Sequence, residues 1–271
     1  MRLTLSHPLL VVALVAASCW QAWRWYLARV AATSEEALAL VLTVALVVAI
    51  GLRPAGQSQR LHPVPLLPLA ALLAIYALAH AFAPAIILAA IAVTTVLYAL
   101  YRALLGERPP IAFFGLVALS LPVLPSLQLV LGYPMRVVSA AITVALLRFQ
   151  GLSVTREGTH MLWGGEIIQF DAPCSGVNML WAGLMLTLAA CVAWRSGVRM
   201  TAVGVCASLL LTIAANVLRA VSLFYVEAGL APIEGSWWHE AIGIAAFAIS
   251  AIVTLWMLQT LCILEARGWA R

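Results

Sequence analysis

Apolar runs of about 18 residues or more recur along this chain, and they limit its fold more than any other feature. In lipid every backbone N–H and C=O must be satisfied within the protein, so a continuous apolar run implies a helix. The runs do not alternate apolar with polar residues, which excludes a membrane β-barrel. With 65% hydrophobic and 9% charged residues, the composition is that of a polytopic membrane protein. The expected fold is therefore all-α, with about eight transmembrane helices. A first helix over 9–17 is followed by spans at 37–51, 64–82, 84–101, 111–131, 174–194, 200–218 and 239–258. Pro122 and Pro125 predict a kink or early end in the fifth. With no repeat or linker, the chain reads as one membrane domain over 1–271.

The first span ends in Trp20, Trp23, Trp25 and Tyr26, an aromatic belt at a membrane surface. Ala17-Ser18-Cys19 faintly resembles a lipoprotein cleavage box, but Ala16 is a weak match three positions before the cysteine, and an uncleaved helix is expected. Eight spans put both termini on one side. With the N-terminus cytoplasmic, the inner segments hold nine arginines and the outer six, so the positive-inside rule favours that orientation.

Residues 134–149 are apolar but carry Arg136, Ser139, Thr143 and Arg148, which predicts a separate interfacial helix with snorkelling arginines. Segments 152–155, 159–163 and 166–170 read as short strands, with turns at Arg156-Glu157-Gly158 and Gly164-Gly165. They predict a small extracytoplasmic β-meander before the sixth span.

The net charge of +5 rests on arginine alone, for the chain has no lysine. That excludes a Ser–Lys dyad, a Schiff base and a P-loop. Asp171 is the only aspartate, so no aspartyl dyad can form. His239-Glu240 lacks the second histidine a zinc site needs. The scattered arginines argue against nucleic-acid binding.

The meander leads into Ala172-Pro173-Cys174-Ser175-Gly176-Val177-Asn178. Pro173 suits the first position of a helix. Cys174 would then lie in the first turn, among unpaired N–H groups that favour a thiolate. Taken alone, Cys174 reads more plainly as a cysteine that fell at a membrane boundary. Arg219 closes the seventh span, and Asn216 precedes it on the same helical face. An arginine at membrane depth is a functional candidate, with snorkelling as the plainer alternative. The alternative for Asn216 is interhelical hydrogen bonding. His239 opens the eighth span, with Ser236 as its N-cap, or is simply an interfacial histidine among tryptophans. Jointly the three say more. Successive spans alternate in direction, so Cys174, Arg219 and His239 come to one membrane face as nucleophile, oxyanion partner and general acid/base.

In this order the motifs resemble the exosortase/archaeosortase family. They are Cys174-Ser175-Gly176, Asn216 with Arg219, and His239 followed by Gly243, preceded by Leu121-Pro122, Pro134 with Arg136, and Gly151 to Gly158. The resemblance covers a catalytic core at about 111–262; residues 1–110 look like variable N-terminal spans. It implies an integral-membrane cysteine transpeptidase of the bacterial type, since the archaeal branch looks to have arginine in place of His239. Pro173 stands where a small residue is expected. The implied catalytic set is Cys174, Arg219 and His239, supported around the substrate by Ser175, Gly176, Asn178, Asn216 and Arg136, with no metal or cofactor. The implied partners are exported proteins with a C-terminal motif, transmembrane helix and basic tail, an acceptor linked to lipid or polysaccharide, and membrane lipids. The implied location is the bacterial inner membrane, with the active site on its outer face. Two other readings stay open. One is a purely hydrolytic membrane cysteine protease. The other is a non-catalytic transporter or assembly subunit of an envelope polysaccharide system. Against the latter, polar residues within the spans are mostly Ser and Thr, with His80 and Gln128 as near-boundary exceptions.

Overall fold

Prolines and glycines set most of the breaks between helices in the computed structural model, which describes residues 7–31, 34–52, 61–169, 175–231 and 237–266. Within them the elements are α1 (Pro8–Ser18), α2 (Trp20–Val30), α3 (Ser34–Gly51), α4 (Leu66–Ala79), α5 (Ala85–Leu105), α6 (Ile111–Leu119) and α7 (Leu124–Phe149). There follow β1 (Thr155–Glu157), β2 (His160–Trp163), β3 (Glu166–Gln169), α8 (Val177–Ala193), α9 (Val198–Glu227) and α10 (Trp238–Ala266). The chain divides into two compact units, 1–123 with 188–201, and 124–187 with 202–271.

Among the described residues, four helices are long and apolar enough to cross a membrane: α5, α7, α9, and α10 over Trp238–Leu264. The shorter apolar helices are Pro8–Ser18, Ala37–Gly51, Leu66–Ala79 and Val177–Ala193. Large apolar side chains such as Leu67, Phe82, Leu129 and Phe149 point outward, whereas Thr95, Ser139, Thr212 and Asn216 are buried. That distribution suits a lipid surround, where threonines return hydrogen bonds to their own helix, as Thr95 does to the Ile91 carbonyl.

In the first unit α5 is central and packs against α1, α2, α3, α4 and α6. The expected fifth span is not one helix. α6 stops at Leu119, before Pro122, because proline disfavours the helical conformation in the residue preceding it. A new helix, α7, starts at Leu124 and runs unbroken through Pro134 to Phe149. The separate interfacial helix expected over 134–149 is therefore the second half of α7. Proline forfeits one backbone hydrogen bond there, a loss that helices in apolar surroundings tolerate.

In the second unit the meander is present as a three-stranded antiparallel sheet in the order β1-β2-β3. Thr155 pairs with Leu162, and Trp163 with Glu166. The first strand is displaced from 152–155 to Thr155–Glu157, so only Gly158 and Thr159 are left to turn the chain. Gly164 and Gly165 have φ of 60° and 87°, the left-handed pair that a two-residue hairpin turn requires. Val154 and Met161 pack with Ala140, Val144 and Leu147 of α7 and with Ala220 and Phe224 of α9. The Trp163 ring meets Phe224 edge-on at 5.8 Å, and Arg148 Nε donates to the Val154 carbonyl at 2.7 Å. The meander is thus seated on the C-terminal turns of α7 and α9.

Candidate active site

Residues 170–174, and so Cys174, Pro173 and Asp171, lie outside the described residues. The described chain resumes at Ser175, covalently next to Cys174. Gly176 has φ of 76°, which no helix can accommodate, so α8 begins only at Val177. The expectation that Pro173 opens the helix and brings Cys174 into its first turn falls on residues outside those described. Ser175 is buried, and its Oγ accepts the Val177 N–H at 3.3 Å, satisfying one of the orphan donors at the helix start.

A second helix grips this segment through Gln128 of α7. Gln128 Oε1 accepts from Ser175 Oγ at 3.4 Å, and Gln128 Nε2 donates to Asn178 Oδ1 at 2.5 Å. One amide thereby holds a residue two positions before α8 and the second residue within it.

A third helix, α9, closes on the same place. A methyl group on Gly176 would stand 2.8 Å from Asn216 Cγ, so the carboxamide lies directly against the Gly176 backbone. Only glycine permits both that approach and the left-handed conformation. Asn216 is 1% exposed, and its Nδ2 donates to Ser139 Oγ of α7 at 2.9 Å. Asn216 therefore joins α7, α9 and the segment that continues from Cys174.

One turn on, Arg219 faces α10. A methyl group on Gly243 would stand 3.3 Å from Arg219 Nε and 3.8 Å from its Cζ, so the guanidinium stem lies along the α10 backbone. His239 stands one turn before Gly243 on the same face of α10. Arg219 was expected to close its helix, and it does not. The apolar run ends there, but α9 continues for about two turns to Glu227. His239 is the second residue of α10, and its Nε2 lies 3.1 Å from Glu227 Oε1. The expected N-cap Ser236 lies outside the described residues.

The structure thus brings Asn216 to Gly176, and Arg219 to the His239-bearing face of α10. Arg136 lies in α7 one turn before Ser139, and its Nε donates to the Gly132 carbonyl of its own helix at 3.3 Å. Sequence reasoning missed Gln128, Ser139 and Glu227 as members of this neighbourhood. Gln128 did carry a signal, as an amide in an otherwise apolar span.

Residues 2–256 match the family described as transmembrane exosortase (Exosortase_EpsH). The chain belongs to the transmembrane exosortase family. The match also takes in the N-terminal spans, beyond the 111–262 core on which the resemblance rested. No curated protein and no solved structure matches it. Two exosortase-type expectations, a membrane-embedded chain and a largely helical fold with a small sheet, agree with the four long apolar helices and the meander.

Proposed function

We propose that this exosortase-family protein is a membrane cysteine transpeptidase that removes a C-terminal sorting tail from exported proteins and passes them to an acceptor. One observation carries the reading. A single turn of α9, from Asn216 to Arg219, touches both the segment continuing from Cys174 and the α10 face that bears His239. In this reading the nucleophile, a cation and an acid/base share one helix turn as their common support.

In this mechanism the Cys174 thiolate attacks the carbonyl carbon of the recognition motif. A C–S bond forms, and the C=O electron pair moves onto oxygen, where Arg219 stabilises the negative charge. Collapse breaks the C–N bond, and the leaving amine takes a proton from His239. The thioester is then attacked by an acceptor nucleophile, whose proton passes to the neutral imidazole, and the thiolate leaves. Ser175, Gly176 and Asn216 fix the backbone beside the nucleophile, while Asn178 and Arg136 border the substrate. The meander restricts water, which favours transfer over hydrolysis.

In the proposed topology all eight apolar helices, the four long and four shorter ones, cross the bacterial inner membrane. Both termini are cytoplasmic, and the site opens on the outer face. No cofactor enters the reaction. The substrate's own transmembrane tail docks against α8, α9 and α10.

The test is processing of a tail-bearing exported reporter in cells, wild type against Cys174→Ala, with mass spectrometry of the new C-terminus. The expected result is complete loss in the mutant and an added acceptor mass in the wild type. A free carboxylate would identify a hydrolytic protease instead. Equal processing in both would defeat the enzymatic reading and favour a non-catalytic envelope subunit.

A further inference from the structure

We infer that Glu227 is the positioning residue for His239, fixing which ring nitrogen faces the reaction. This rests on the transpeptidase reading above and adds a residue to it. The primary observation is the 3.1 Å contact between His239 Nε2 and Glu227 Oε1, with the two side chains 49% and 35% exposed. An ionised carboxylate only accepts hydrogen bonds, so Nε2 must carry the proton in this contact. In the neutral ring the lone pair is then on Nδ1. Nδ1 becomes the atom that takes and returns the reaction's proton, and the base is oriented by a third group, as nucleophile–base pairs require.

The placement of the two residues argues against a purely structural ion pair. Glu227 is the last residue of α9 and His239 the second of α10. An acid that closes a helix and a base that opens one each meet the dipole end of their own sign. Neither helix gains from its own terminal charge, so the two residues are suited to each other rather than to their helices. Glu240 is nearer in sequence, but it is Glu227, from the neighbouring helix, that meets the ring. The α10 face involved is the one where Arg219 lies against Gly243. The base and the cation are therefore set from the same helix, about two turns apart along α9.

The test uses the full-length protein in detergent, with Glu227→Gln, Glu227→Ala and Glu227→Asp. Steady-state processing of the tail-bearing reporter is measured together with 15N chemical shifts of histidine-labelled protein, His239 being assigned by its loss in His239→Gln. The expected result is a kcat about 10- to 100-fold lower in the Gln and Ala variants, a share of the usual worth of general acid–base catalysis. KM should stay within about twofold, and Asp should recover most of the rate. The wild-type His239 should show the Nε2–H tautomer, and Glu227→Gln should lose that preference. Wild-type kcat in both Gln and Ala variants, or an unchanged tautomer in them, would overturn the inference. Matching losses in kcat and in thermal stability, without rescue by Asp, would make Glu227 merely structural. If Cys174→Ala still processes substrate, the transpeptidase reading falls by itself, and the 15N shifts still decide whether Glu227 sets the ring.

Discussion

Both units of the chain tie distant residues together with polar side chains, but they do so differently. In the first, the ties are separate. Tyr26 Oη donates to the Ser120 carbonyl at 2.6 Å, His80 meets Gln21 at 2.6 Å, and Arg195 pairs with Glu107 at 2.7 Å. Each joins one pair of segments, and apolar packing around α5 does the rest. In the second unit the ties converge. Gln128 holds both Ser175 and Asn178, Asn216 reaches Ser139 and Gly176, Arg219 lies on Gly243, and Glu227 meets His239. Isolated ties steady a scaffold, whereas linked ones fix the relative positions of several groups, as a reaction requires.

That contrast can be broken by experiment. The largest effect is expected from Arg219→Ala, which should lower reporter processing about 10²- to 10³-fold, as removal of an oxyanion donor does. Arg195→Ala, the matched arginine of the first unit, should leave processing within about twofold, since exposed ion pairs contribute little. Equal losses in the two would erase the distinction. Gly176→Ala comes next. A side chain there meets both a left-handed backbone and the Asn216 carboxamide, so the protein should lose about 1–3 kcal/mol by thermal unfolding in detergent. A milder loss of about 1 kcal/mol is expected for Asn216→Ala, which removes the bond to Ser139. The smallest effect belongs to Gln21→Ala, whose exposed contact with His80 should leave both the melting temperature and processing unchanged. A large drop there would show that the first unit, too, depends on linked ties.

The membrane-helical class, the family and the meander were legible because each has a periodic or ordered signature. Run length identified the helices, and Gly164-Gly165 marked a hairpin. The misplaced boundaries share a cause. Hydropathy registers where a segment stops being apolar, and a helix need not stop there. α9 therefore passes through Arg219, and α7 passes through Pro134. Two features at the start of α8 were not legible, the positive φ of Gly176 and the approach of Asn216 to it from another helix. Glu227 was hidden because no spacing rule connects the end of one helix to the beginning of the next. Asn216, Arg219 and His239 were legible as candidates because polar groups in apolar runs are costly and so stand out.

The continuity of α9 has a geometric consequence. Arg219 and Glu227 are carried by one unbroken rod, so their separation is a fixed rise of about 12 Å and a fixed angle of about 80° around the axis. Inserting or deleting a single residue between them would turn Glu227 by about 100° while leaving Arg219 in place. The angular phase of α9 is therefore itself a specification. Substitutions between Arg219 and Glu227 that leave the helix intact preserve that phase, and any change of length does not.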